Sequence, residues 1–329
     1  MPTTRRHLLA GLAAASGALA GIRPAAAQTR WQMATAYPDG NFHTRNVRAF
    51  LEEVQSATGG KLQVQLQSNA ALLPMNQIKR GVQTGQVQMG EILLSAYGNE
   101  DPFFELDSIP QLVTSYDDAK RLMRLSLPFI EARFSRQGLV PLFQVPWPPG
   151  GFYTNAPLTS VEQLRGTKLR TFNVMTNRFA TLVGAAPTLV QQAELPQAFA
   201  TGVVNVMVTS AQTGVDTQAW DYAKFFTPVG FTFTRNMVMV SRRAFETLSA
   251  EERKAVQEAA AKAETRGWAA SAEAQRTQEA ALATHGMTVA RPSPELLAGL
   301  ATVSRTMVDE WLTRSGEDGR KVIDAYRAG

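Results

Sequence analysis

The sequence predicts an α/β protein of two lobes, and three observations carry that expectation. Strand and helix patterns alternate over residues 31–95. A proline-rich break at Gln144 to Gly151 then interrupts the rhythm before it restarts, and a capping box at Ser249 opens one long helical run. At 329 residues the chain is long enough to bury a separate core in each lobe.

Trp31 to Tyr37 reads as an apolar strand ended by the turn Pro38-Asp39-Gly40. Val47, Phe50, Leu51 and Val54 recur at helical spacing, and Gly59-Gly60 stops that helix. Leu62-Gln63-Val64-Gln65-Leu66-Gln67 alternates with period two, which predicts a strand with one polar side. Pro74 opens a helix that places Met75, Ile78 and Val82 on one face, Gly85 follows it, and Val87 to Ser95 is a third strand. This order argues for a largely parallel sheet.

Val145-Pro146-Trp147-Pro148-Pro149-Gly150-Gly151 cannot be helical, because its prolines fix φ and remove donors; it is read as a crossover between lobes. Beyond it lie a strand at Lys168 to Phe172, a helix at Thr176 to Val183 and a short strand at Thr188 to Val190. A helix at Leu195 to Thr201 and a strand at Val203 to Thr209 follow, and Met237 to Ser241 is a strand returning toward the first lobe. Ser249 is the N-cap and Glu252 the N3 residue of a helix running to about Thr284. At about 1.5 Å per residue it approaches roughly 50 Å, longer than one lobe, so it is expected to brace both lobes in preference to kinking at Gly267. Pro292 to Ala325 adds smaller C-terminal helices.

Residues 1–27 read as a signal peptide. Arg5-Arg6 supplies a positive start, Leu8 to Ile22 an apolar stretch, and Ala25-Ala26-Ala27 a small-residue cleavage site. The apolar stretch is shorter than the roughly 20 residues a membrane span needs, so the mature chain is expected not to span a membrane. The arginine pair suits twin-arginine export but also occurs in ordinary secretory signals. Removing the segment takes away Arg5, Arg6 and Arg23 and no acid, leaving 30 basic against 28 acidic residues, net +2. No dense Lys/Arg run remains, so nucleic-acid binding has no support. The absence of cysteine excludes disulfides, thiolate metal sites and cysteine nucleophiles.

Enzyme signatures do not emerge. Outside the signal peptide the histidines are His43 and His285, with no paired spacing suited to a metal, and no nucleophile elbow, phosphate loop or dinucleotide fingerprint occurs. Glu52-Glu53, Asp117-Asp118 and Glu251-Glu252 are adjacent on predicted helices, where neighbours do not share a face, so they read as solvated surface. No catalytic, metal or cofactor site is assigned. One arginine stands out: Arg170 ends a short apolar strand, where its planar fork could hold a carboxylate. A plain salt bridge is the competing reading.

Four stretches carry a resemblance to a known family. Phe50-Leu51-Glu52-Glu53-Val54 stands with Ala57-Thr58-Gly59-Gly60-Lys61-Leu62-Gln63-Val64, and Gln83-Thr84-Gly85-Gln86-Val87-Gln88-Met89 follows. Leu164-Arg165-Gly166-Thr167-Lys168-Leu169-Arg170 stands with Gly184-Ala185-Ala186-Pro187-Thr188, ahead of Thr201-Gly202-Val203-Val204-Asn205. In this order they resemble the extracytoplasmic solute receptors of tripartite ATP-independent periplasmic (TRAP) transporters, of the C4-dicarboxylate-receptor type. The resemblance implies a periplasmic-binding-protein-like fold, each lobe a mixed sheet flanked by helices, that closes on a small organic acid. It also implies delivery to the membrane permease subunits, with Arg170 pairing the ligand carboxylate. Residues 28–150 with about 237–265 would form lobe I, and 151–236 with about 266–329 lobe II.

The departures matter too. Thr209 stands where the family usually has asparagine, Val208 where it has glutamate, Asn205-Val206 where it has aspartate-glycine, and Phe231 where histidine is frequent. An arginine that some members carry near Gly151-Phe152-Tyr153 is missing. Candidate ligand contacts are therefore Arg170, Thr209 and Gln212, with Trp147, Phe152 and Phe231 as walls and Tyr37 and Asn69 reaching from the first lobe. Hinge and core packing compete for the aromatic residues, and turn structure competes for Tyr37 and Asn69. If the aromatic residues do line the cleft, the ligand is a monocarboxylate with an apolar or aromatic body, because a second carboxylate would be buried unpaired. A receptor of an ATP-driven importer, or a secreted hydrolase or lyase using scattered carboxylates, are the alternatives.

Overall fold

The computed structural model describes residues 28–328; the signal-peptide assignment lies outside them. Strands β1 (Thr29–Ala34), β2 (Leu62–Gln67) and β3 (Met89–Leu93) alternate with helices α1 (Phe42–Ala57) and α2 (Met75–Thr84). Helix α3 (Tyr116–Arg136), β4 (Leu139–Pro146) and β5 (Gly150–Thr154) follow. Next come β6 (Lys168–Thr171), α4 (Val174–Leu182), β7 (Ala186–Leu189), α5 (Leu195–Ala200), β8 (Val206–Ser210) and α6 (Ala211–Asp216). The chain ends with β9 (Phe225–Pro228), β10 (Arg235–Ser241), α7 (Arg242–Glu246), α8 (Ala250–Thr284), β11 (Thr288–Val289) and α9 (Pro294–Arg327).

Two sheets result, ordered β2-β1-β3-β10-β4 and β11-β9-β5-β8-β6-β7. Each has a parallel part, β1 with β2 and β3, and β6 with β7 and β8. Each also contains antiparallel strands, β10 beside β3 and β4, and β5 between β8 and β9. Mixed sheets arise here because two extended segments, at 147–149 and at 229–234, carry the chain from one sheet to the other and each delivers a strand running the other way; α8 makes a third crossing, between β10 and β11. The two crossing segments pair with one another: Trp147 N donates to Thr234 O at 2.6 Å, Phe231 N to Gly150 O at 2.8 Å, and Gly150 N to Thr232 O at 3.3 Å. Asp107 anchors the second crossing by accepting from both the backbone N and Nε of Arg235, each at 3.0 Å.

Three apolar clusters fill the interior. Met33, Val47, Phe50, Ile92, Met237 and Val256 belong to the first sheet's core. Alternation along the strands of the second sheet sends Phe152 and Val208 into one cluster and Tyr153 and Met207 into another, so both of its faces are covered. Phe103, Leu106 and Leu122 share the cluster of Leu169 and Phe179, so residues 103–122 lie against the second sheet's core.

Helix α8 begins at the expected capping box, with Ser249 accepting from Glu252 N and Glu252 from Ser249 N. It runs 35 residues and touches α1 and β4 of one half and α6 and β11 of the other, so it braces both. Gly267 is a point of close approach: a Cβ there would meet the Val145 side chain, and Asn46 Nδ2 at 2.7 Å. Helix α9 is broken at Gly316, whose φ of 66° suits glycine, so the C-terminal part is two helical pieces.

Candidate functional site

Parallel α/β sheets leave a crevice beyond the carboxyl ends of their strands, and here the two sheets turn those ends toward one another. Tyr37 follows β1, Leu93 ends β3, Arg170 lies next to the end of β6, Gln191 and Gln192 follow β7, and Thr209 and Ser210 end β8. Together with the two crossing segments, which add Trp147, Pro148, Gly150, Phe231, Thr232 and Thr234, they line a cavity of about 100 Å³. One water needs roughly 10–15 Å³ on such a measure, so there is room for a small metabolite. Most of its wall is carbon, from Ala36, Pro74, Met75, Leu93, Trp147, Phe172 and Phe231, with hydroxyls from Thr209, Ser210, Thr213, Thr232 and Thr234.

Arg170 is the wall's cation. It is 4% exposed, its Nε donates to Val190 O at 2.9 Å, and its guanidinium carbon stands 4.9 Å from the centroid of the Phe172 ring. Among the described residues no carboxylate pairs with it; burial pulls its pKa down to about 10, opposed only by the tyrosines Tyr222 and Tyr37. A buried charge without a partner costs several kcal/mol. The Nε–Val190 bond occupies one edge of the fork and leaves the terminal amino groups for an anion in the cavity.

Below the cavity floor runs a chain of hydrogen bonds. Tyr37 OH and Trp147 Nε1 donate to Asn236 Oδ1 at 3.2 and 2.8 Å, and Asn236 Nδ2 donates to Glu91 Oε1 at 3.1 Å. Thr35 Oγ1 donates to the other Glu91 oxygen at 2.6 Å. Because an indole N–H can only donate, the asparagine amide is fixed in one orientation. Burial raises the Glu91 carboxyl to about 7, against the Thr35 and Asn236 bonds. His43, 3.6 Å from Glu91, is buried among Tyr37, Phe42 and Trp147. Desolvation lowers its pKa well below the ordinary value, which keeps it neutral. His285 caps α8 through Nδ1, 2.9 Å from Ala281 O, and stacks on Trp220.

Of the residues singled out from the sequence, the cavity wall brings together Tyr37, Trp147, Arg170, Thr209 and Phe231. Phe152 is set behind it, its ring 5.7 Å from Phe231 and 6.0 Å from Phe179. Gln212 lies inside α6, its Nε2 donating to Asp216 Oδ1 at 2.7 Å. Asn69 holds a turn at φ 56°, and its neighbour Ala70 reaches the wall. Sequence reasoning passed over Met75, Leu93, Phe172, Thr232, Thr234 and the glutamines at 191 and 192. The available signal was position alone: each of these except Met75 and Thr232 borders the end of a strand.

The profile of bacterial extracellular solute-binding protein family 7, DctP, matches residues 33–314. The chain belongs to this family. DctP7 of Bordetella pertussis, an extracytoplasmic solute receptor binding pyroglutamic acid, is 44% identical, superposes with a TM-score of 0.90, and is matched over 91% of this chain and 99% of that one. A marine metagenome TRAP solute-binding protein, solved with co-purified pyroglutamate, is 35% identical with the same TM-score, over 92% and 100% of the two chains. A solute-binding protein from Albidiferax ferrireducens is 24% identical over 219 residues, and this chain spans 65% of its length. The two-lobed TRAP-receptor fold expected from the sequence is thus the fold observed. No helix among the described residues is long and apolar enough to cross a membrane.

Proposed function

We propose that this DctP-family chain is a periplasmic receptor that captures a small monocarboxylate and passes it unchanged to a TRAP permease in the membrane. The observation that carries the reading is Arg170, a buried guanidinium with no carboxylate partner among the described residues, lining a mostly apolar cavity. One cation matches one carboxylate; a second would be buried against carbon and hydroxyls at a cost of several kcal/mol. Pyroglutamate is the ligand we assign. Its ring offers methylenes to Trp147, Phe172 and Phe231, and its lactam offers a donor and an acceptor to the hydroxyl rim. That two similar receptors bind this acid supports the choice.

In this reading Arg170 anchors the carboxylate, Thr209 supplies a polar contact, and Tyr37, Trp147 and Phe231 shape the walls. Phe152 backs Phe231, Gln212 acts through Asp216, and Asn69 sets the turn that carries Ala70. The two sheets with their flanking helices move as lobes about the paired crossing segments, broadly 28–150 with 237–265 and 151–236 with 266–329, except that residues 103–122 go with the second sheet, whose core they join. Ligand favours the closed form because it touches both lobes. Arg5-Arg6 and the apolar stretch after them direct export.

Calorimetry of the mature protein with L-pyroglutamate and with succinate tests this, alongside native mass spectrometry for a co-purified acid. Pyroglutamate is expected to bind, and succinate roughly a hundredfold more weakly. Succinate binding as tightly as any monocarboxylate would reject the single-cation argument.

A further inference from the structure

Asp216 closes α6 on the second half of the molecule, and its carboxylate gathers three amide donors, one from its own helix and two from separate segments. Asn41, the N-cap of α1 on the first half, donates Nδ2 to Asp216 Oδ2 at 2.6 Å. Gln192, a wall residue of the cavity, donates Nε2 to the same oxygen at 3.2 Å. Gln212 donates to Oδ1 at 2.7 Å. Asn41 is buried, its side-chain oxygen occupied by His43 N at 2.8 Å, so its amide is held facing the carboxylate.

From this geometry we propose that Asp216 is a positioning residue that couples ligand capture to lobe closure. It holds Gln192 against the ligand and, through the same oxygen, ties the second lobe to Asn41 of the first. The Asn41–Asp216 bond exists only when the lobes are together, so it contributes to the closed state and not to the initial encounter. A charge-assisted bond of this kind strengthens as water is excluded. The Gln192 contact means that ligand and clasp draw on one preorganised carboxylate. This inference rests on the receptor reading of the same cavity.

The test compares wild type with Asn41→Ala, Asp216→Asn and the double variant, using L-pyroglutamate as the probe in stopped-flow binding. Asn41→Ala is expected to raise the dissociation rate about tenfold with little change in the association rate. The double variant should be no worse than Asp216→Asn alone, because both remove one bond. Since the chain has no cysteine, spin labels at Gln65→Cys and Leu189→Cys, both exposed and on different sheets, report lobe separation directly. In Asn41→Ala the short-distance fraction falls, although losing the α1 cap also lowers stability. Asn41→Ser, which keeps a capping oxygen and loses the amide donor, should show the same fall with a melting temperature within about 2 °C of wild type. Dissociation rates within twofold of wild type, or additive losses in the double variant, overturn the clasp. If wild type does not bind pyroglutamate, the ligand assignment fails, and the label distances without added ligand decide the clasp: a lower short-distance fraction in Asn41→Ala supports it, and identical distributions reject it.

Discussion

Replacing Arg170 by methionine separates what the cavity needs from what the fold needs. The side chain keeps most of its volume and loses its charge. With Nε committed to Val190 O, the terminal amino groups offer two bonds to a carboxylate. At about 1.5–3 kcal/mol each their loss amounts to about 3–6 kcal/mol, or roughly 10²–10⁴ in Kd. Stability should move the other way. Burial brings the guanidinium from 12.5 to about 10, which corresponds to about 3 kcal/mol of cost at 1.36 kcal/mol per pKa unit. Methionine removes that cost throughout the range below the folded pKa, while the orphaned Val190 carbonyl returns about 1–3 kcal/mol of it. Thermal melts of both proteins, without ligand and with 1 mM (about) L-pyroglutamate, read both effects. The ligand-free midpoint of Arg170→Met should equal or exceed that of wild type, and the ligand-induced rise should vanish. A preserved rise would refute the anchor; a ligand-free midpoint lower by more than about 5 °C would show that the arginine belongs to the scaffold.

Two further outcomes follow from the packing. Glu91 titrates near 4.5 when unfolded and at about 7 when folded, so between those values the folded chain holds the extra proton and its stability falls as pH rises, by up to about 3 kcal/mol. Glu91→Gln should flatten that part of the profile in urea denaturation between pH 5 and pH 8, and parallel profiles for the two proteins would disprove the assignment. Gly267→Ala places a methyl against Val145 and Asn46 where α8 crosses β4; overpacking should cost about 1–3 kcal/mol, beyond the roughly 1 kcal/mol that alanine's helix propensity returns, and a higher melting temperature would contradict the close approach.

Much of the secondary structure was legible because its signals are local. The period-two run Leu62–Gln67, the capping box Ser249/Glu252 and the helix end at Thr284 coincide with observed boundaries. The prolines between Gln144 and Gly151 marked the crossover because they exclude helix wherever they occur. Arg170 was visible as a fork at a strand end, but that no carboxylate among the described residues pairs with it was not, since which acid reaches a buried guanidinium is decided by tertiary contacts and not by sequence distance. The side on which each aromatic residue falls was equally hidden. Phe152, Tyr153 and Phe231 have similar chemistry, and only the pairing of β5 with β8 and β9 sends Phe152 behind Phe231 and Tyr153 to the opposite face.

By itself the sequence determined that the chain alternates strand and helix, breaks once at prolines, and carries one long capped helix, because backbone sterics and side-chain periodicity act over a few residues. Tertiary structure alone decided that the carboxyl ends of β1, β3, β6 and β8 face one another across a carbon-lined space. It also decided that Asn236, Glu91 and Asp216 hold the walls from behind. Those arrangements depend on contacts between residues far apart in the chain, such as Asn41 with Asp216, 175 positions away, and Trp147 with Asn236, 89 positions away, and no local pattern encodes such a distance.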